Sequence, residues 1–278
     1  MSERVRPRAS DAPVVARPAL DATLDAAAAT PALLWVLLAV PAALVLAGIA
    51  LVAAEQTSPG IPLIVLGVVI VVLNGVFGAP DRLLTRLTTR PVDERREAGL
   101  INLVEGLGVA AGVVVPDLAV IEDPAANAVV MPSSRGALLI TTTGLLDRLD
   151  RIELEAVIAH ELTHLRRNEV SRARLVAFAC GTLLALWPGS ARLVAHLCGD
   201  EREVLADLAA MRITRYPPAL ASALEALRAT PVRPAHLDTI VARASAGWWF
   251  APLAEAEARR VIPGRLDLEL RAAALREL

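Results

Sequence analysis

Residues 159–165, Ala-His-Glu-Leu-Thr-His-Leu, contain a His-Glu-x-x-His pattern inside an apolar run with helical spacing. On a helix, His160 and His164 lie one turn apart on the same face, so both imidazoles can bind a single zinc ion. Glu161 lies beside them and is the type of residue that acts as a general base in metal-assisted amide hydrolysis. Only four histidines occur in the chain, so a chance coincidence is the weaker explanation. The pattern predicts a hydrolytic zinc site.

A helix start signal precedes this pattern. Asp150 can cap the first turn, and Glu153 falls where it completes a capping box. Residues 166–169, Arg-Arg-Asn-Glu, are expected to mark the point at which the helix reaches solvent. The side chains predicted to form its buried side are Ile152, Val157, Ile158, Leu162 and Leu165.

The composition favours a membrane protein without a nucleic-acid partner. Hydrophobic residues make up 55% of the 278 positions and the mean hydropathy is +0.52, which is too apolar for an ordinary soluble enzyme. The formal net charge of -2 provides no basic surface for nucleic acid. Cys180 and Cys198 both lie in apolar stretches, so we predict buried free thiols rather than a disulfide or metal ligands.

The first third of the chain predicts a tail and a membrane hairpin. Residues 1–30 lack an apolar period and are expected to form a flexible cytoplasmic tail. Residues 31–80 contain two long apolar runs separated by a short polar turn, which predicts a transmembrane helical hairpin. A cleaved signal peptide is the alternative for the first run, but its apolar core is longer than such signals carry.

Arginines lie on both sides of this hairpin and are absent from the connecting turn at 55–60. By the positive-inside rule, both ends of the hairpin face the cytoplasm. The sequence therefore predicts a multi-pass protein of the plasma membrane with its catalytic domain in the cytoplasm and the lipid bilayer as a partner.

Residues 81–278 are predicted to form the zinc metallopeptidase domain, mainly α with a small antiparallel β-sheet, an α+β fold. An amphipathic helix is expected at 92–113, and an apolar insertion at 173–198 predicts a membrane-embedded or peripheral helical hairpin. An exposed edge strand of the sheet could pair with an extended substrate, although a purely structural sheet is equally compatible. The predicted strands are Leu118–Ile121, Ala128–Met131 and Ala137–Thr142.

A hydrolytic zinc site usually has a third protein ligand. Glu169, Glu201 and Glu203 are candidates on spacing alone. Glu203 is favoured because Asp207 follows one turn later, where its carboxylate could hold a metal-binding histidine through the second ring nitrogen. The alternative is that Asp200 caps this helix and Glu203 only completes a capping box. These two readings stay open on spacing alone.

The motif at 160–164, followed by Glu203-x-x-Ala206-Asp207, resembles the M48 family of membrane zinc metallopeptidases, which includes HtpX heat-shock proteases and CAAX proteases. Asn127-Ala128 corresponds to an Asn-Ala-Phe edge strand in that family, and residues 142–146 resemble its Thr-Thr-Gly-Leu-Leu. The similarity spans roughly residues 95–255.

This resemblance implies a gluzincin-like fold and one Zn²⁺ per chain, held by His160, His164 and Glu203. It implies Glu161 as the general base, and it places Asn127 and Ala128 at the strand that binds a protein or peptide substrate. The implied activity is an endopeptidase that cleaves membrane or misfolded proteins at the cytoplasmic face.

Two departures from the family keep a second hypothesis open. The family's His-Pro-Pro segment near the C-terminus is absent, and residues 261–265 read Val-Ile-Pro-Gly-Arg. Family members also tend to have aspartate where this chain has Glu169. The alternative function is a catalytically inactive, zinc-binding membrane scaffold that binds protein partners through the same groove.

Overall fold

The computed structural model describes residues 32–77, 84–180, 190–198, 202–228, 230–235, 237, 241–242, 245, 247–251, 253 and 268–278. The helices are α1 (Ala32–Ala53), α2 (Thr57–Phe77), α3 (Ala98–Ala111), α4 (Thr143–Arg148), α5 (Arg151–Arg166), α6 (Glu169–Cys180), α7 (Ser190–Cys198), α8 (Arg202–Thr214), α9 (Pro217–Arg228) and α10 (Leu268–Arg276). The strands are β1 (Thr89–Pro91), β2 (Asp117–Ile121), β3 (Ala128–Ser133) and β4 (Gly136–Thr142). The predicted tail at 1–30, Glu201, residues 261–265 and the middle of 173–198 lie outside the described residues.

The described part of the chain is mostly helical with one small sheet, as predicted, but the sheet is mixed rather than antiparallel. Its strand order is β1-β2-β4-β3. β3 and β4 form a hairpin, and β4 lies between β3 and β2, where it pairs parallel to β2. The turn residues predicted antiparallel hairpins throughout. That prediction was wrong because the chain after β2 crosses over before it forms the hairpin.

The three predicted strands are confirmed to within two residues at each end. The short strand β1 was missed, since three residues ending in a proline give no alternating pattern. The predicted helix at 92–113 is shorter, and α3 begins at Ala98. The Asp93 carboxylate instead closes a turn, because its Oδ1 accepts hydrogen bonds from the backbone N–H groups of Arg95 and Arg96, each at 2.8 Å.

Helix α5 begins where the capping signal predicts. Asp150 Oδ1 accepts from the backbone N–H of Glu153 at 2.8 Å, and Glu153 Oε2 accepts from the Asp150 N–H at 3.0 Å. Val157, Ile158 and Leu162 are buried as predicted, whereas Ile152 is 54% exposed.

The prediction that residues 166–169 reach solvent was wrong for two of the four. Arg167 and Glu169 are buried. Asn168 has a φ of 55°, in the left-handed region that asparagine tolerates, and this turn ends α5 and begins α6. The chain therefore folds back on α5, and Glu169 lies beneath the helix.

The sheet lies between two apolar layers, and α5 lies in the larger of them. That layer packs α3, α5, α9 and α10 against one face of β3 and β4. The second layer covers the opposite face with α6, α7 and the aromatic pair Trp248 and Trp249. Its members Val176, Val194 and Leu197 are fully buried, so the described ends of the apolar insertion pack into the protein. This arrangement fixes α5 against the edge strand β3.

Helices α1 and α2 form the predicted antiparallel pair. A Cβ atom built on Gly48 would lie 2.6 Å from the Gly60 carbonyl oxygen, and one on Gly67 would lie 2.7 Å from the Pro41 carbonyl oxygen. Only glycine permits such close backbones. Within the described residues, one helix, Ala32–Ala53, is long and apolar enough to cross a membrane, and a shorter apolar stretch, Thr57–Leu73, lies in α2.

Candidate metal centre

The motif residues point their polar atoms at one small buried volume. His160, Glu161 and His164 each offer one ligand-type atom, and these atoms all lie within 4.8 Å of one another. The three residues are at most 1% exposed. Among the described residues, His160 Nε2, His164 Nε2 and Glu161 Oε1 have no hydrogen-bond partner. Unpaired buried polar atoms are costly, so three that converge indicate a site built for a cation.

Each histidine is oriented by a carboxylate at its other ring nitrogen. Asp207 Oδ1 lies 2.8 Å from His160 Nδ1, and Glu169 Oε2 lies 2.7 Å from His164 Nδ1. Because a carboxylate only accepts hydrogen bonds, Nδ1 donates to it in the neutral imidazole, which leaves the Nε2 lone pair available to a cation. This is the usual environment of a metal-binding histidine.

Glu203 lies beside the histidine pair on α8. Its Oε2 is 3.4 Å from His160 Nε2, and the residue is 4% exposed. The Glu169 carboxylate instead contacts His164 Nδ1, the ring nitrogen opposite the unpartnered Nε2. Of the third-ligand candidates that the structure describes, Glu203 is therefore the one whose carboxylate faces the unpartnered Nε2 side.

Three buried arginines surround these carboxylates, and no local sequence pattern predicts their positions. Arg167 Nε donates to Glu169 Oε1 at 2.9 Å, and Arg202 Nε donates to Glu169 Oε2 at 2.7 Å. Arg271, on α10, donates two hydrogen bonds to the carboxylate of Asp207. Buried charges are tolerated when they are paired in this way.

The pKa values of the motif residues follow from burial and these partners. Burial opposes a charge on His160, but the carboxylates of Asp207 and Glu203 raise its pKa to about 8. Burial lowers the pKa of His164 to about 4, assisted by the positive charge of Arg202. Burial raises the pKa of Glu161 to about 7. A carboxyl group with a pKa near neutrality can both take and return a proton.

The side chain of Glu161 bridges α5 and the edge strand. Its Oε2 accepts a hydrogen bond from the backbone N–H of Val130 at 2.8 Å. This bond fixes one oxygen of the carboxylate, and the other, Oε1, has no hydrogen-bond partner among the described residues. The sheet therefore positions the Glu161 carboxylate.

Asn127 and Ala128 lie at the start of β3, but neither presents a free edge to solvent. Both are fully buried, and the Ala128 carbonyl accepts from the Phe250 N–H at 2.9 Å. The Asn127 amide donates to the carbonyls of Val232 and Ala251 at 2.8 and 2.9 Å. A substrate strand at these two residues would have to displace the segment at 248–251, so their substrate-binding role stays a prediction.

Comparison with known proteins agrees with this geometry. The family model described as Peptidase family M48 matches residues 94–224, a range that contains the sheet, the His-Glu-x-x-His helix and Glu203. The chain carries a peptidase family M48 domain. Proteins of this family are metallopeptidases that typically use zinc, and the donor set of two imidazoles and carboxylates in the M48 domain fits that ion.

The similar proteins include bacterial proteins named as proteases. A protein named protease HtpX homolog from Dictyoglomus thermophilum is 33% identical over 175 residues, which cover 50% of this chain and 58% of that protein. The protein of the same name from Dictyoglomus turgidum is 31% identical over 175 residues, which again cover 50% of this chain and 58% of that protein. One from Streptococcus pyogenes serotype M3 is 29% identical over 202 residues, 58% of this chain and 67% of that protein. The match thus spans a little over half the length of the Dictyoglomus relatives, and it identifies the M48 domain as HtpX-like.

Proposed function

We propose that this chain is an integral membrane zinc endopeptidase that hydrolyses peptide bonds of membrane or misfolded proteins at the cytoplasmic face. The observation that carries the proposal is the convergence of three unpartnered, fully buried ligand-type atoms of His160, Glu161 and His164. Its assignment as an endopeptidase also draws on the M48 domain and on the names of the similar proteases.

In the proposed centre, the Nε2 atoms of His160 and His164 and the carboxylate of Glu203 hold one Zn²⁺ per chain. When bound, zinc supplies Lewis-acid polarisation of the scissile carbonyl and activation of water. Asp207 and Glu169 keep both imidazoles in the tautomer that presents Nε2. The positions of the side chains support these proposed roles.

Glu161 supplies the proton transfers. Its Oε1 has no hydrogen-bond partner among the described residues, and Glu161 lies with the two histidines, so this oxygen takes the proton from the attacking water and delivers it to the leaving amine nitrogen. The Val130 N–H keeps the other oxygen in place throughout the cycle.

Membrane association rests on the helical pair. Large apolar side chains cover the outside of α1 and α2, among them Trp35 at 57% and Leu46 at 66% exposure. Such a surface is stable in lipid rather than in water. The arginines that flank the pair, and the absence of any in its turn, orient the M48 domain toward the cytoplasm.

The test is a cleavage assay on the full chain purified in detergent, with casein as the substrate and zinc added. We expect wild type to cleave and Glu161→Gln to lose at least about 100-fold in rate, as removal of a general base does, while it retains its zinc. Glu155→Gln, a half-buried position on the same helix, is the matched control and should cleave normally. Zinc-loaded wild type that cleaves nothing would favour the scaffold alternative.

A further inference from the structure

Helix α10 brings a buried arginine to the metal centre from the C-terminal end of the chain. Leu268, Ala272 and Leu275 pack into the main core and hold the helix against α9. Arg271 lies on the same buried face by helical spacing and is 2% exposed. Its position is beyond residue 224, where the match to the M48 family model ends.

The three guanidinium nitrogens of Arg271 all have partners. Nε and Nη2 donate to the two oxygens of Asp207, each at 2.7 Å, in the bidentate geometry that is specific to arginine. Nη1 lies 3.4 Å from Glu203 Oε2 and 3.3 Å from the Phe250 carbonyl oxygen. One side chain therefore contacts both acidic residues that α8 sends into the centre.

These contacts continue to the metal-binding atoms. Asp207 Oδ1, which accepts from Arg271, is also the oxygen that faces His160 Nδ1. Glu203 Oε2, which lies near Arg271 Nη1, is the oxygen 3.4 Å from His160 Nε2. Arg271 is therefore connected to His160 Nδ1 through Asp207 and to His160 Nε2 through Glu203.

Stability alone does not explain a buried arginine here. The apolar residues of α10 already dock the helix, and a buried ion pair often adds little net stability over apolar packing. The bidentate guanidinium also fixes an orientation, because its two parallel hydrogen bonds hold the plane of the Asp207 carboxylate.

We infer that Arg271 is a positioning residue of the metal centre, which holds Asp207 behind His160 and Glu203 beside it in the geometry that binds zinc. This inference rests on the proposed function, since it takes His160 and Glu203 as zinc ligands. It assigns the C-terminal helix, which lies beyond the range matched by the family model, a role in building the site.

The experiment compares the full chain with Arg271→Gln and Arg271→Lys in detergent. The zinc dissociation constant is measured by competition with a chromophoric chelator, and the melting temperature of the metal-free protein is measured alongside. The visible spectrum of the Co²⁺ form reports the geometry at the ligands. Arg276→Gln is the matched control, because Arg276 lies on the same helix but pairs with Glu225 at the surface.

We expect Arg271→Gln to weaken zinc binding by about 10–100-fold, the usual effect of losing a group that orients metal ligands, and to alter the Co²⁺ spectrum. Arg271→Lys keeps the positive charge but cannot make the bidentate hydrogen bonds. It should therefore fold and still bind zinc more weakly than wild type. Arg276→Gln should match wild type.

Either of two results would overturn the inference. One is a wild-type zinc constant and Co²⁺ spectrum in both Arg271 variants, whatever their melting temperatures. The other is an equal loss of affinity in Arg276→Gln, which would mean that general docking of α10 is responsible. Wild type that binds no zinc would instead refute the proposed function, and the inference with it.

Discussion

Glu169 Oε2 lies 2.7 Å from His164 Nδ1, although Glu169 begins the next helix, beyond the turn that ends the His-Glu-x-x-His helix. The carboxylate holds this imidazole as Asp207 holds that of His160. Glu169 is itself held by Arg167 and Arg202, so its orientation is fixed. The two proposed histidine ligands therefore have equivalent support from different parts of the chain.

We predict that Glu169→Gln weakens zinc binding by about 10–100-fold, because the amide cannot accept from Nδ1 with the strength of a carboxylate. Glu169→Asp keeps the charge but shortens the reach, so a smaller loss is expected. The dissociation constants come from chelator competition. Unchanged affinity in Glu169→Gln would show that this contact does not support the site.

Only part of this site was predictable from the sequence, because some of its residues meet only after the chain has folded. Asp150 and Glu153 act on the turn next to them, so the start of α5 was visible in the sequence. Glu169 and Arg167 were expected in solvent, because nothing local shows that Asn168 reverses the chain beneath the helix. Arg271 reaches the centre only through the packing of α10 on the core, which no local pattern encodes.

The sheet shows the same limit. The alternating strands were found from their own residues, whereas their order depends on which strand β4 meets after the crossover. Ala128 begins β3, where a strand was predicted, but the burial of Asn127 and Ala128 depends on the segment at 248–251, which approaches from elsewhere in the chain. Local chemistry was therefore predictable, whereas most long-range contacts were not, the contact between Asp207 and His160 being the exception.

Orientation in the membrane has a direct test. We predict that Gln56→Cys, in the turn between α1 and α2, reacts with a membrane-impermeant maleimide in intact cells, since the proposed orientation places that turn outside the cell. Val109→Cys, at an 84% exposed position of the M48 domain, should react only after lysis. Both changes are made in a chain whose two cysteines are replaced by alanine. Labelling in the reverse order would contradict the proposed cytoplasmic site.

Replacement of glycine by alanine should have opposite effects on stability at Gly144 and Gly106, because their surroundings differ. A Cβ atom at Gly144 would lie 2.2 Å from the Pro124 carbonyl oxygen, so Gly144→Ala should destabilise the fold by about 1–3 kcal/mol. Gly106, exposed on α3, has nothing within 4 Å, and Gly106→Ala should stabilise by about 0.4–1 kcal/mol. Thermal unfolding in detergent measures both, and equal melting temperatures would refute the packing described for Gly144.

Glu97 predicts a pH dependence of stability. Two hydrogen bonds from Arg90, at 2.8 and 3.0 Å, are the main cause that lowers its pKa to about 2. Because this pKa is below the usual value of about 4.3, the ionised group stabilises the fold above that value, and the contribution is lost as the pH falls toward 2.

Wild type should therefore melt higher than Glu97→Gln at pH 7, and the difference should shrink steadily below pH 5. Melting curves from pH 7 to pH 3 provide the measurement. The control is Glu105→Gln, at an exposed position on α3, the helix that begins directly after Glu97. A difference that stays constant or widens in acid would mean that Glu97 is not held ionised by Arg90.

The most direct test of the central claim is the metal content of the full chain after purification in detergent. We expect about one zinc per chain in wild type, as a three-ligand hydrolytic site binds a single ion. His160→Ala and Glu203→Gln should lose most of that zinc, and His196→Ala, at an exposed position, should keep it. Wild type without stoichiometric zinc, or His160→Ala with its zinc intact, would contradict the assignment of this centre.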